Sequence, residues 1–140
     1  MARVDKISPK EKIPEYYSDF PINLDKNLVT GQLGRVVNAD AVKQAIVSLV
    51  LTGRKERPYQ PWLGSDVKQS LFDNMDDPLV IDTIKNSIYD CIKANEVRAK
   101  IIGINMTPDY DNHSYAVQVY FSIINVTEPQ VAEFVLERVR

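Results

Sequence analysis

Residues 115–123 read Tyr-Ala-Val-Gln-Val-Tyr-Phe-Ser-Ile. Tyr115, Val117, Val119, Phe121 and Ile123 alternate with Ala116, Gln118, Tyr120 and Ser122. A period of two puts the first set on one face of a strand and the second on the other. Working outward, residues 99–106 form an Ile-rich run that Pro108 bounds. Between the two runs lies Asp109-Tyr110-Asp111-Asn112-His113, which is turn chemistry. The two runs are therefore predicted to pair as an antiparallel hairpin. Beyond Pro129, residues 131–139 fit a strand or a short helix; as a strand, they place Phe134, Leu136 and Arg138 on one face. The strand is the preferred reading and would complete a three-stranded sheet.

Upstream the period changes to that of a helix. In residues 38–52, Val42, Ala45, Ile46, Leu49 and Val50 form an apolar stripe. Asn38 or Asp40 is expected to cap its start and Gly53 to close its end. Ser65 is expected to cap a second, short helix on which Val67, Leu71, Phe72 and Met75 share a face. Asp77-Pro78 opens a third helix, with Asp as the cap and Pro in the first turn; it runs to about Ala94 and buries Ile81, Ile84, Ile88, Cys91 and Ile92. Phe20, Ile22 and Leu24 alternate and suggest a short extended segment, with residues 33–37 as its returning partner. Residues 1–18 are charged and carry Pro9 and Pro14, so they read as an irregular arm. The expected fold is α+β: an extended N-terminal arm over 1–18, then a single domain over 19–140 with about three helices followed by a C-terminal antiparallel sheet of about three strands.

The 140 residues include 17 basic and 19 acidic side chains, for a net charge of −2. That balance argues against a domain held to nucleic acid by bulk charge. No apolar run opens the chain or reaches membrane-spanning length, so neither a signal peptide nor a membrane partner is expected. Cys91, the single cysteine, reads as a small buried apolar residue. His113, the single histidine, reads as a turn residue. Nucleophile elbows, metal-ligand spacings and phosphate loops have no match here, so no catalytic, cofactor or metal residue is assigned. Asp76, Asp77, Asp109 and Asp111 read as turn and cap residues rather than an acid–base pair.

Three segments carry candidate contacts. In residues 53–65, Gly-Arg-Lys-Glu-Arg-Pro-Tyr-Gln-Pro-Trp-Leu-Gly-Ser, no regular element is possible. Arg54, Lys55, Arg57, Tyr59 and Trp62 could meet phosphates and bases. The preferred reading is a stiff loop whose Tyr59, Trp62 and Leu63 cover the ends of the flanking helices, and such a loop also suits a protein partner. Glu96 and Arg98 lie past the third helix, where extended chain would project both to one side. They are either a solvated self-pair or a contact for a partner whose loss leaves the stability of the free chain nearly unchanged. The tail, residues 131–140, would be an edge strand that invites another chain to pair, and is expected to be removable with the fold intact.

Several blocks now stand in a telling order: Tyr17-Ser18-Asp19-Phe20, then residues 41–46, residues 57–66, Leu71-Phe72, and Leu136-Glu137-Arg138. Together, over about residues 16–140, they resemble the gene product twenty-five family of baseplate-wedge proteins from contractile phage tails. That family also includes the sheath-initiating subunits of type VI secretion and related injection machines. The Arg-Pro-x-x-Pro-x-x-Gly loop followed by Leu-Phe is the most specific block. The resemblance implies a structural subunit of the virion tail, assembled in the host cytoplasm, that docks on the wedge's helical core bundle and templates the tail sheath. Tail tube or hub proteins are possible further neighbours. The resemblance implies no cofactor and no small-molecule substrate. The family's Glu-Pro-Arg motif reads Glu96-Val97-Arg98 here. Carried across, Glu96, Arg98, Arg57, Tyr59 and Trp62 would face the wedge core, and Val131, Phe134, Val135, Leu136 and Arg138 would face sheath strands. Some members carry a lysozyme-like label, so a peptidoglycan-degrading tail enzyme is the alternative.

Overall fold

The structure, a computed structural model, describes residues 14–124 and 126–138. Most of the expected arm, residues 1–13, lies outside them.

Strand β1, Ser18–Asp19, pairs antiparallel with β2, Val36–Val37. The pairing thus falls on residues 18–19 rather than on the alternating Phe20, Ile22 and Leu24, which the structure leaves exposed. Exposure removes the reason for alternation to specify a strand, since there is no buried face to reward it.

Helix α1 spans Asn38–Leu51 and buries Ala41, Val42, Ile46 and Val50. Its caps differ from expectation. Val37 takes the N-cap position with no side-chain hydrogen bond, while the Asn38 amide turns back to hold the preceding chain. Thr52, not Gly53, closes the helix: its N–H and Oγ1 both donate to the Ser48 carbonyl, at 3.1 and 2.7 Å. Helix α2 is a single turn, Val67–Ser70, with Asp66 rather than Ser65 in front of it. Leu71 is buried, yet Phe72 is exposed, because the helix stops before a common face can form. Helix α3, Pro78–Asn95, follows the sequence reading closely: the Asp77 carboxylate accepts from the Leu79 N–H at 2.9 Å, and Ile84, Ile88, Cys91 and Ile92 are buried.

Three strands follow: β3, Ala99–Asp109; β4, Ser114–Ile123; and β5, Val126–Glu137. Their order is β3-β4-β5, antiparallel throughout, so β4 is central and β3 and β5 are edges. Pro108 and Pro129 lie inside strands instead of ending them. Edge strands tolerate proline because one side of the ladder is unused.

Tyr115, Val117, Val119, Phe121 and Ile123 all face the core, as the period of two requires. Helix α1 packs beside β5, and α3 packs beside β3. The core joins Val42, Ile46 and Val50 to Ile84, Ile88 and Ile92 and to the inward side of β4. No helix among the described residues is long and apolar enough to cross a membrane.

Candidate functional site

The loop over residues 53–65 is built by its own backbone. The Ser65 N–H donates to the Thr52 carbonyl at 2.9 Å, and the Arg54 N–H returns a bond to the Ser65 carbonyl at 3.2 Å. Inside this clasp, the Lys55 N–H reaches the Pro61 carbonyl at 2.9 Å. Ser65, expected as a helix cap, is instead buried with its hydroxyl donating to the Val50 carbonyl at 2.7 Å, which pins the loop to the last turn of α1. Gly64 sits at φ +114°, and a Cβ there would run into the Thr52 carbonyl, so only glycine closes this clasp without strain. The Glu56 carboxylate accepts from the Gly53 N–H at 2.6 Å and from Lys68 at 3.1 Å. These two donors, the backbone one foremost, hold it below the usual glutamate range.

The stiff loop does not fold its aromatic residues onto the helices. Tyr59 is 95% exposed and Trp62 68% exposed. The expected covering role is therefore corrected: the clasp satisfies the helix end with backbone groups and leaves both rings in solvent. Arg54 pairs with Asp66 at 3.2 Å, while Lys55 and Arg57 form no ion pair among the described residues.

The segment Glu96-Val97-Arg98 is a turn, not extended chain: the Ala99 N–H donates to the Glu96 carbonyl at 3.3 Å. Glu96 is only 5% exposed. Arg98 grips it twice, Nε to Oε1 and Nη2 to Oε2, both at 2.6 Å, and the Arg98 N–H adds a third bond at 3.2 Å. The pair is thus self-paired, with the carboxylate out of solvent and the Arg98 side chain still partly in it. The hydrogen bonds to Glu96 raise the guanidinium above its ordinary range, against the opposing effect of partial burial. The guanidinium carbon also lies 5.4 Å from the Tyr17 ring centroid, a cation–π contact that ties the chain before α1 to the exit of α3.

Tyr17 belongs to the N-terminal end of α1, where its carbonyl accepts from the Asn38 N–H at 2.7 Å. The loop of Arg57, Tyr59 and Trp62 belongs to the other end. A helix of 14 residues spans about 21 Å, so the structure does not bring the two expected wedge-core groups together. They are separate surfaces at opposite ends of α1.

The third surface is the outer edge of β5. The Arg138 N–H donates to the His113 carbonyl at 3.3 Å, and Ser114 faces Glu137. In an antiparallel ladder bonding and non-bonding positions alternate, so Ala132, Phe134 and Leu136 turn their main-chain groups to β4. Val131, Glu133, Val135 and Glu137 turn theirs outward, where no strand lies among the described residues. Ala132 and Leu136 are buried, Phe134 is half-buried and Val135 is exposed. Arg138 lies past the strand, with its guanidinium 5.0 Å from the centre of the Phe72 ring. Sequence reasoning missed Glu133 and Glu137, which a strict alternation count from Phe134 would have put on the outward positions.

Chemistry is sparse. Among the described residues no group of His, Cys, Asp and Glu could hold a metal ion. Cys91 is buried, with burial pushing its thiol up, and its Sγ lies 3.7 Å from the Leu49 carbonyl. Asp109 is held below its usual range by Asn112, as turn chemistry requires.

Comparison with known proteins places this geometry. Over 115 residues the chain is 29% identical to the baseplate wedge protein gp25 of Enterobacteria phage T4, covering 81% of this chain and 84% of that protein. The chain is similar to that wedge protein over most of both lengths. The baseplate-wedge resemblance seen in the sequence blocks is borne out. No family model matches the chain. Two solved structures share its fold. One is a candidate tail lysozyme from Geobacter sulfurreducens, with a TM-score of 0.64 and 13% identity over 71% of this chain and 89% of that one. The other is a chain of the anti-feeding prophage baseplate, with a TM-score of 0.59 and 18% identity over 89% and 87%.

Proposed function

We propose that this chain is a structural subunit of the baseplate of a contractile tail, built into the virion after assembly in the host cytoplasm. In this reading it docks on neighbouring wedge proteins and starts the tail sheath by lending it the outer edge of β5. Kinship with a baseplate wedge protein supports the baseplate placement. The single observation that carries the sheath role is the row of outward main-chain groups at Val131, Glu133, Val135 and Glu137. Backbone groups of any sequence can pair with such a row, so a growing sheath needs only an extended segment to dock. The turn at Glu96 and Arg98 and the exposed rings of Tyr59 and Trp62 then serve as two separate wedge contacts. Aromatic and arginine side chains held in a fixed loop lose little freedom on binding, which suits them to that task.

The enzymatic alternative draws on a lysozyme-like label within the resembling family and on the name of one structural neighbour, and at 13% identity that second likeness is one of fold. The local geometry favours a scaffold. Among the described residues Glu96 is the buried carboxylate, and Arg98 occupies both of its oxygens. The carboxylates with displaced values among the described residues, Glu56 and Asp109, are displaced downward, away from what a general acid needs.

Deleting residues 131–140 is not a clean test, contrary to the expectation from sequence. Ala132 and Leu136 are core residues, so the deletion would open the fold itself. The better probe is Val135→Pro, which removes an N–H that points away from β4. The variant is expected to fold and to join baseplates, yet to leave them without sheath in electron micrographs. Sheath of normal length on such baseplates would sink the strand-lending role.

A further inference from the structure

The outward edge of β5 carries two carboxylates on alternate positions. Glu133 accepts only the Gln118 amide, at 2.9 Å, and neither it nor Glu137 meets a cation among the described residues. Both lie on the residues whose main-chain groups point out, so both project to the solvent face of the sheet beside Val131 and Val135. The opposite side of the same edge is different. There a hollow of ≈ 410 Å³ is lined by Ile22, Lys43, Gln44 and Val47 and reaches the edge at Val131–Glu133, and another of ≈ 330 Å³ is lined by Leu51, Val67, Lys68 and Leu71 and reaches it at Val135–Glu137. An incoming strand would therefore meet acid on one face and, on the other, the apolar Ile22, Val47, Leu51 and Leu71 interspersed with Lys43 and Lys68.

The usable edge is also bounded. Pro129, within an irregular stretch of the β4–β5 pairing, has no N–H to offer, and Arg138 is turned aside onto Phe72. Residues 131–137 remain, about 20 Å of strand at ~3.3 Å per residue. A second copy of this chain is a weaker occupant: its edge over residues 131–137 carries two Glu and no Lys or Arg, so no register gives either carboxylate a basic partner.

Resting on the strand-lending reading above, we infer that this edge selects a basic, alternating partner: an extended segment of another protein, about seven residues long. Its apolar side chains face α1 and α2, and its Lys or Arg side chains lie opposite Glu133 and Glu137. Main-chain pairing gives the docking, and the charges set the choice and the register.

Two blocked seven-residue peptides test this, one alternating Lys and Val and one alternating Glu and Val, titrated into the full chain while amide NMR shifts are followed. The Lys peptide is expected to shift the amides of Val131, Glu133, Val135 and Glu137 and to bind about tenfold more tightly than the Glu peptide. The preference should shrink in high salt and invert in Glu133→Lys with Glu137→Lys, two exposed changes that leave the spectrum of the core intact. Equal affinity for both peptides would overturn the charge selection and leave strand lending standing. Neither peptide moving these amides would overturn both. Shifts of the same amides on concentrating the chain alone would mean that a second copy is the occupant and would also overturn the inference.

Discussion

Arg98 closes on Glu96 with two bonds of 2.6 Å across a turn in which the carboxylate is buried and the Arg98 side chain is about one-third exposed. Such a pair is asymmetric. Arg98 can rehydrate when its partner is lost, whereas Glu96 without Arg98 is a charge left inside the fold. Arg98→Ala is thus expected to cost more than Glu96→Gln, with the latter at about 1–3 kcal/mol. Thermal or urea unfolding of the free chain measures both. An unchanged midpoint would return the pair to the role of a purely external contact.

Val97 stands second in this turn and is 82% exposed. Its N–H takes no partner among the described residues, and Glu96 before it is already extended at φ −117° and ψ 84°. Proline favours that position. Val97→Pro is expected to stabilise the chain by about 0.4–1 kcal/mol, chiefly by restricting the unfolded state. A fall in the unfolding midpoint would show that the turn here has a backbone proline cannot match.

Asn38 opens α1 at φ +52° and spends its amide on the chain before it, accepting from the Tyr16 N–H at 2.9 Å and donating to the Pro14 carbonyl at 3.2 Å. Asparagine tolerates that backbone and alanine does not. Asn38→Ala is expected to cost about 1–3 kcal/mol and to make residues 14–17 sensitive to limited proteolysis. Asn38→Gly should release the same segment with a smaller loss of stability, since the backbone strain is relieved. Equal losses would mean that the hydrogen bonds, and not the dihedral, carry the effect.

Glu56 links acid to the shape of the aromatic loop. Its folded value lies below its unfolded one because the Gly53 N–H, and then Lys68, favour the charged form. The contribution is therefore complete above the ordinary glutamate value and fades as pH falls through the lowered one. Trp62 emission and hydrogen exchange at Gly53 should change over that acid range while the core signals hold. Glu56→Gln should abolish the transition; a transition that persists in this variant would assign it elsewhere.

Much of the fold was legible in local pattern. The alternation over 115–123 fixed which side of β4 is buried, because one face of a strand must meet the core. The stripe of Ile84, Ile88, Cys91 and Ile92, with Asp77 ahead of Pro78, named α3 for the same reason: its cap and its apolar face lie within the segment itself. Where sequence reading went astray, the partner was distant. Asn38 left its cap role for residues 14–17, and Ser65 left its own for the Val50 carbonyl. Glu96 was judged exposed until the packing of the turn between α3 and β3 buried it against Arg98. Trp62 was expected to pack down, but the clasp between Thr52 and Ser65 met the needs of the helix end without it. By itself the sequence determined the elements and their buried faces, since these depend on neighbours a few residues away. An edge strand over the tail was already expected from the sequence; only the tertiary structure decided its strand order beside β4 and put Glu133 and Glu137 on its outward row, because strand order and hydrogen-bond register are set by pairings between segments far apart in the chain.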